Sequence, residues 1–155
     1  MPAQDKTTYI AFVRASGEVA KNTVPDLVER AVALVTLHDG ETLIGTAAIK
    51  NPNAQHRTGD FRKAGCKDRA AAHPLELGWV HVHEDHRGHK HSYSLVEEAM
   101  KSVGTLGVYA TTKNDGMRNK VLPKYGFVPT GTNFPSTLKP DEKLSLFTRA
   151  VTKDG

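Results

Sequence analysis

The sequence predicts a mixed α/β (α+β) protein in which strands and helices alternate along a chain of 155 residues. Three observations carry this. Between Glu76 and Val103 an apolar strand turns through a basic loop straight into a helix-periodic stretch. Asp39-Gly40 separates two β-rich runs, the pattern of a tight hairpin. Further short apolar runs of strand composition recur along the chain, with helical spacing between them.

Taken in order, Tyr9–Val13 reads as a first strand, rich in aromatic and β-branched residues and ended by Gly17. Thr23 or Asn22 could cap a helix with Pro25 in its first turn, and Val24, Leu27, Val28 and Ala31 give it an apolar face. Val32–Leu37 reads as a strand, or as helix running into strand, and Thr42–Ile49 as the return strand of the hairpin. The stretch from Lys50 to Pro74 carries a basic cluster: Lys50, His56, Arg57, Arg62, Lys63, Lys67 and Arg69. It reads either as a basic substrate-binding insertion or short helix, or as a solvated connection. Leu77, Trp79, Val80 and Val82 form the fourth strand, and Leu95, Val96, Ala99 and Met100 the buried stripe of the helix after it. Gly104–Thr112 is a fifth strand, and Asn114-Asp115-Gly116 a turn. Met117–Lys124 is a short helix that Pro123 distorts or ends. A strand after Tyr125 and a last one over Leu144–Val151 complete the order.

Length and composition fit one soluble domain with a proper core. No apolar run approaches the ~20 residues that span a bilayer. The N-terminus lacks the layout of a secretion signal, and Cys66 has no second cysteine to pair with, so a cytoplasmic location is expected. A net charge of +4 favours anionic ligands and permits nucleic acid, but no aromatic-interleaved basic repeat supports the latter.

The loop after the fourth strand is Arg87-Gly88-His89-Lys90-His91-Ser92. A strand turning into a helix N-terminus offers unpaired amides and a positive dipole end to an anion. This segment resembles the pyrophosphate loop Arg/Gln-x-x-Gly-x-Gly/Ala of the GNAT (GCN5-related N-acetyltransferase) family. Arg87 and Gly88 fit, while Lys90 and Ser92 stand where glycines are usual. Two further stretches are similar: the hairpin's return strand, and Lys124-Tyr125-Gly126-Phe127 through Gly131, which matches K-x-G-F-x-x-x-G. The resemblance covers roughly residues 8–151 and is specific from Glu76 to Gly131.

The resemblance implies a single acetyltransferase domain over residues 1–155. Its sheet would be mixed, mostly antiparallel, of six to seven strands, with the fourth and fifth splayed apart. Three to four helices would flank it, one fewer in the usual first pair. Acetyl-CoA would be co-substrate, with Val80, Val82, Arg87, Gly88, His89, Lys90, His91, Ser92 and Asn114 as its binding residues. Glu76, eleven positions before Arg87, would be the general base, ahead of Glu84 and Asp85. The acetyl group would pass to a primary amine by direct attack within a ternary complex, with no acyl-enzyme on Cys66. The family's usual acid, a Tyr, falls at Leu122 or Val121 here; Tyr125 and Tyr109 are near in sequence, with Tyr125 read as a packing residue. The acceptor stays open, the basic 50–69 segment favouring an anionic one, and a homodimer is compatible with the family.

Two other readings stand beside this one: a GNAT-fold enzyme that modifies nucleic acid, and a non-catalytic CoA-binding or interaction module. Five histidines lie between His81 and His91. His81 and His83 would share a strand face, and with a third from the turn could hold zinc or accept protons. No metal is expected, since no cysteine joins them.

Overall fold

Two helices open the chain: α1 (Ala3–Ala15) and α2 (Val24–Arg30). A hairpin follows, β1 (Ala33–Asp39) and β2 (Thr42–Lys50), then α3 (Ala54–Lys63) and a 3-10 turn over Lys67–Ala72. Next come β3 (Leu75–Val82), α4 (His91–Met100) and β4 (Val108–Thr112). A π turn over Met117–Val121 runs into α5 (Leu122–Lys124), and β5 (Val128–Pro129), β6 (Phe134–Pro135) and β7 (Lys143–Arg149) end the order. The computed structural model describes residues 1–16, 23–137 and 139–151. The seven strands form one open sheet, ordered β1-β2-β3-β4-β7-β5, with β6 on β7. All pairs are antiparallel except β3 with β4.

Strand alternation sorts the core into two layers. Ala47 and Ile49 of β2, Leu75 and Leu77 of β3 and Val108 and Ala110 of β4 pack with Leu95, Val96 and Ala99 of α4 on one face. Ala48 faces the other way, with Trp79, toward Tyr9 and Val13 of α1 and Val24 and Val28 of α2. Tyr109 and Leu146 also face that way, toward Phe61 of α3. Each Val, Leu, Ile or Phe among them, fully buried, contributes about 1.5–3 kcal/mol. The second face thus carries α1 and α2 at one end and α3 at the other.

The first strand predicted over Tyr9–Val13 is instead part of α1. Tyr9 and Val13 are one helical turn apart and both 0% exposed, so burial against Ala48 and Trp79 overrides the β preference of the segment. The first pair of helices is therefore complete. Gly17 and Asn22, proposed as strand end and cap, lie outside the described residues; Thr23 takes the N-cap position. The hairpin is as expected, with Gly40 at φ +61°. The helix over Met117–Lys124 is distorted at Pro123 as expected: a wider π turn precedes the proline, whose ring would otherwise meet the carbonyl four residues back.

β3 and β4 pair only at Leu75–Val108 and Glu76–Tyr109, then diverge. The cause lies on the other edge of β3. Between Ala48–Gly78 and Thr46–His81 the β2–β3 register slips by one residue, and Trp79 has φ +50°. This bulge bends β3 away from β4. Two side chains satisfy carbonyls there: Thr46 Oγ1 donates to Trp79 at 2.8 Å, and the Tyr9 hydroxyl donates to Ala47 at 2.6 Å. The fourth and fifth strands of the prediction, β3 and β4 here, are splayed as expected.

Candidate active site

The divergence opens a cleft of about 1040 Å³ that reaches from the β3–α4 loop to α3. Glu76, Val80, Val82, Arg87, Ser92 and Asn114 line it. A smaller cavity of about 190 Å³ adjoins it, formed by Arg87, Gly88, Lys90, His91 and Ser92 with Lys120. Of the residues expected to hold the donor, His89 lines neither cavity.

The loop's geometry follows from its residues. Gly88 has φ +86°, which glycine adopts at no steric cost. Lys90, at the N-cap of α4, has φ +61° and ψ 24°. It takes the left-handed conformation that a glycine would take, at a cost of about 1–2 kcal/mol. The backbone turn is kept although the glycine is not. Arg87 Nε donates to the Val82 carbonyl at 3.0 Å, which holds the guanidinium at the cleft and occupies that carbonyl. No side chain caps α4, whose N-terminal residues His91 and Ser92 line the loop cavity, while the Tyr93 amide donates to the Lys90 carbonyl at 3.2 Å. Asn114 Oδ1 accepts from the Met117 amide at 3.0 Å, so its side chain caps the following helical run while lining the cleft. The residues present fit a pyrophosphate: basic side chains, a helix N-terminus and a turn that exposes backbone amides.

At the far end five polar side chains meet. Glu76 is 5% exposed. Its Oε1 lies 3.3 Å from Lys50 Nζ, 3.4 Å from the Tyr109 hydroxyl and 3.8 Å from His56 Nε2. Asp60 Oδ2 lies 3.3 Å from His56 Nε2 and 3.4 Å from the same Tyr109 hydroxyl. Each element delivers its residue for a local reason. Asn53 caps α3 by accepting from the His56 amide at 2.7 Å, and His56 and Asp60 then share a helix face at i, i+4. Lys50 stands opposite Glu76 in the β2–β3 ladder. Its stem crosses Gly78, where a Cβ would come within 2.7 Å of Cδ, and its ammonium lies 4.9 Å from the Trp79 ring centre.

Burial and the Glu76 carboxylate push Asp60 up to about 6, against the pull of His56, Lys63 and Lys50. Burial above all, with the two carboxylates, drives Tyr109 far above the usual phenol range, so it is a neutral hydroxyl. The cluster can therefore accept a proton from an amine and bind its cation. His56, Asp60 and Glu76 are also the group of three His, Cys, Asp or Glu residues whose ligand atoms lie within 4.8 Å of one another among the described residues. The Lys50 ammonium already sits 3.3 Å from the Glu76 carboxylate.

Among the described residues, no three of the histidines from His81 to His91 bring ligand atoms within 4.8 Å of one another, as the zinc set weighed from the sequence would need. His83 accepts from the Asp85 amide beyond the end of β3, and its ring lies 6.2 Å from that of His86, while His89 and His91 face each other at 5.8 Å. Val121 and Leu122, at the usual acid position, are buried and apolar. Tyr125 packs against the core and donates to the Tyr93 carbonyl at 3.0 Å. Sequence reasoning misses Asp60 and reads Lys50 and His56 only as basic residues. The i, i+4 pair His56/Asp60 after an Asn cap was the available signal.

No protein-family model matches the sequence, and no curated protein does. Solved structures do match in fold. FeeM, an N-acyl amino acid synthase from uncultured soil microbes, superposes with a TM-score of 0.73 over 99% of this chain and 88% of its own, at 15% identity. yncA of Salmonella typhimurium, solved with its cofactor acetyl-CoA, gives 0.66 over 97% and 92%, at 11% identity. The ribosomal-protein-alanine N-acetyltransferase of Brucella melitensis gives 0.64 over 97% of each chain, at 13% identity.

Proposed function

We propose that this chain, whose fold is that of the GNAT acetyltransferases, transfers an acetyl group from acetyl-CoA to a primary amine within a ternary complex. The observation that carries the reading is the single cleft that runs from an anion-binding loop at Arg87–Ser92 to a buried carboxylate at Glu76. A thioester held along β3 would bring its carbonyl beside an amine held at Glu76. Positioning of this kind makes the step effectively unimolecular.

In this reading Arg87, Lys90 and the first amides of α4 grip the pyrophosphate, and the β3 edge facing the gap orients the pantetheine arm. Glu76 takes a proton from the bound ammonium, and the freed nitrogen attacks the thioester carbonyl carbon. The C–S bond breaks as the amide forms. The thiolate takes a proton from the attacking nitrogen or from water, since Val121 and Leu122 offer none. One proton is released to solvent per turnover. Cys66 is no acyl carrier: it lies outside the cleft, and burial pushes its thiol up.

The acceptor end also carries Lys50, Arg62 and Lys63, which favours an amine that bears an anionic group. FeeM, an N-acyl amino acid synthase, makes amino acids one acceptor class to screen. The test follows CoA thiol release from acetyl-CoA over a panel of amino acids, alkylamines and aminoacyl or nucleobase amines. Amine-dependent release is expected, and Glu76→Gln lowers it by about 10²–10⁴-fold while acetyl-CoA still binds. Release that ignores Glu76→Gln would move the base elsewhere.

A further inference from the structure

The proton that Glu76 accepts has to leave a side chain that is almost fully buried, and the residues around it are graded in exposure. The side chains of Glu76, Asp60 and His56 are 6%, 14% and 53% exposed. The Tyr109 hydroxyl stands 3.4 Å from both carboxylates, and His56 Nε2 stands 3.3 Å from Asp60. We propose that Tyr109, Asp60 and His56 form a proton exit, which carries the acceptor's proton from Glu76 to solvent and resets the base for the next turnover. This rests on the acyltransferase reading above.

The steps balance. The ammonium gives a proton to the Glu76 carboxylate. The Glu76 carboxyl then gives a proton to the Tyr109 oxygen as the Tyr109 hydroxyl gives its own to the Asp60 carboxylate. Asp60 passes it to His56 Nε2, and the imidazolium gives a proton to water or buffer. Glu76, Asp60 and Tyr109 end as they began. Tyr109 moves protons as a neutral hydroxyl with an acceptor lone pair and a donor hydrogen, and is never ionised.

Charge fits the same assignment. Asp60 is faced by Glu76 from β3, by Lys50 from β2, by Tyr109 from β4, and by His56 and Lys63 from its own helix. Two carboxylates meet one close ammonium, that of Lys50, so the cluster has room for one further positive charge. The acceptor's ammonium supplies it during a turnover, and the exit clears the proton it leaves behind. The pull of Glu76 and His56 on Asp60 is of opposite sign, and this gives the exit a signature that needs no acceptor to be known.

Asp60, as its ¹³C-labelled carboxyl, would be titrated by NMR in the wild type, His56→Gln and Glu76→Gln. The Asp60 midpoint should rise in His56→Gln and fall by about one pH unit in Glu76→Gln. A midpoint that neither substitution moves would overturn the exit without touching the acyltransferase reading. On any amine that turns over, His56→Gln should lower kcat about tenfold in dilute buffer with KM for acetyl-CoA unchanged, and added imidazole should restore it. Full turnover of His56→Gln in dilute buffer would overturn the exit. So would submicromolar Zn²⁺ binding lost in Asp60→Asn and His56→Gln, which would make the cluster a metal centre.

Discussion

Lys50 and Glu76 face each other across the β2–β3 ladder, with the ammonium 3.3 Å from Oε1 and both side chains nearly buried. The pair places one positive charge at the α3 end of the cleft and holds the carboxylate in place. Removing one partner leaves the other buried and unpaired, which is the costly case. Lys50→Met keeps the stem across Gly78 and Trp79 but deletes the charge. It should cost about 3 kcal/mol, read as a lower urea midpoint with unchanged slope. A variant as stable as the wild type would show that solvent already screens the pair.

Asp60 sets a pH dependence whose sign is fixed by its raised value of about 6 against 3.8 when unfolded. Below 3.8 both states are protonated and nothing is lost. As pH rises toward 6 the unfolded chain ionises first, so stability falls, by about 3 kcal/mol at most. Asp60→Asn should remove this loss. The difference in unfolding free energy between variant and wild type should therefore move in the variant's favour between pH 4 and pH 7. A difference independent of pH would mean that Asp60 ionises normally.

Thr46 holds the bulge that opens the cleft. Its hydroxyl is fully buried and pairs the Trp79 carbonyl. Thr46→Val keeps the shape and orphans that carbonyl, at a cost of about 1–3 kcal/mol. Thermal unfolding would measure it.

Lys90 pays for a left-handed backbone that glycine adopts freely. Lys90→Gly should be about 1 kcal/mol more stable than Lys90→Ala, because only the alanine keeps the steric clash. Both should bind acetyl-CoA more weakly than the wild type, having lost the charge.

The stretch from Glu76 to Gly131 was legible because its signals are local. Alternating apolar residues, a basic turn and a helical stripe follow one another with little interference. The opening helix was not legible, because Tyr9–Val13 has strand composition and only the contact with Ala48 and Trp79 makes it helical. Glu76 stands out in the sequence by its offset from Arg87, but its surroundings do not. Thr58 and Gly59 weaken the helical signal of α3, so the face shared by His56 and Asp60 does not stand out. Their approach to Glu76 depends on packing of Phe61 against Tyr109, at 5.1 Å between rings, which no local pattern encodes. The loss of two loop glycines pointed to an altered donor site, whereas the Lys90 backbone still takes the glycine conformation.

The most direct measurement is a calorimetric titration of the purified protein with acetyl-CoA, beside CoA and a buffer blank. Saturable, one-to-one, micromolar binding that weakens in Arg87→Ala is the expected result. Absence of any heat of binding at millimolar acetyl-CoA would contradict it, and would mean that the Arg87–Ser92 turn no longer grips a pyrophosphate.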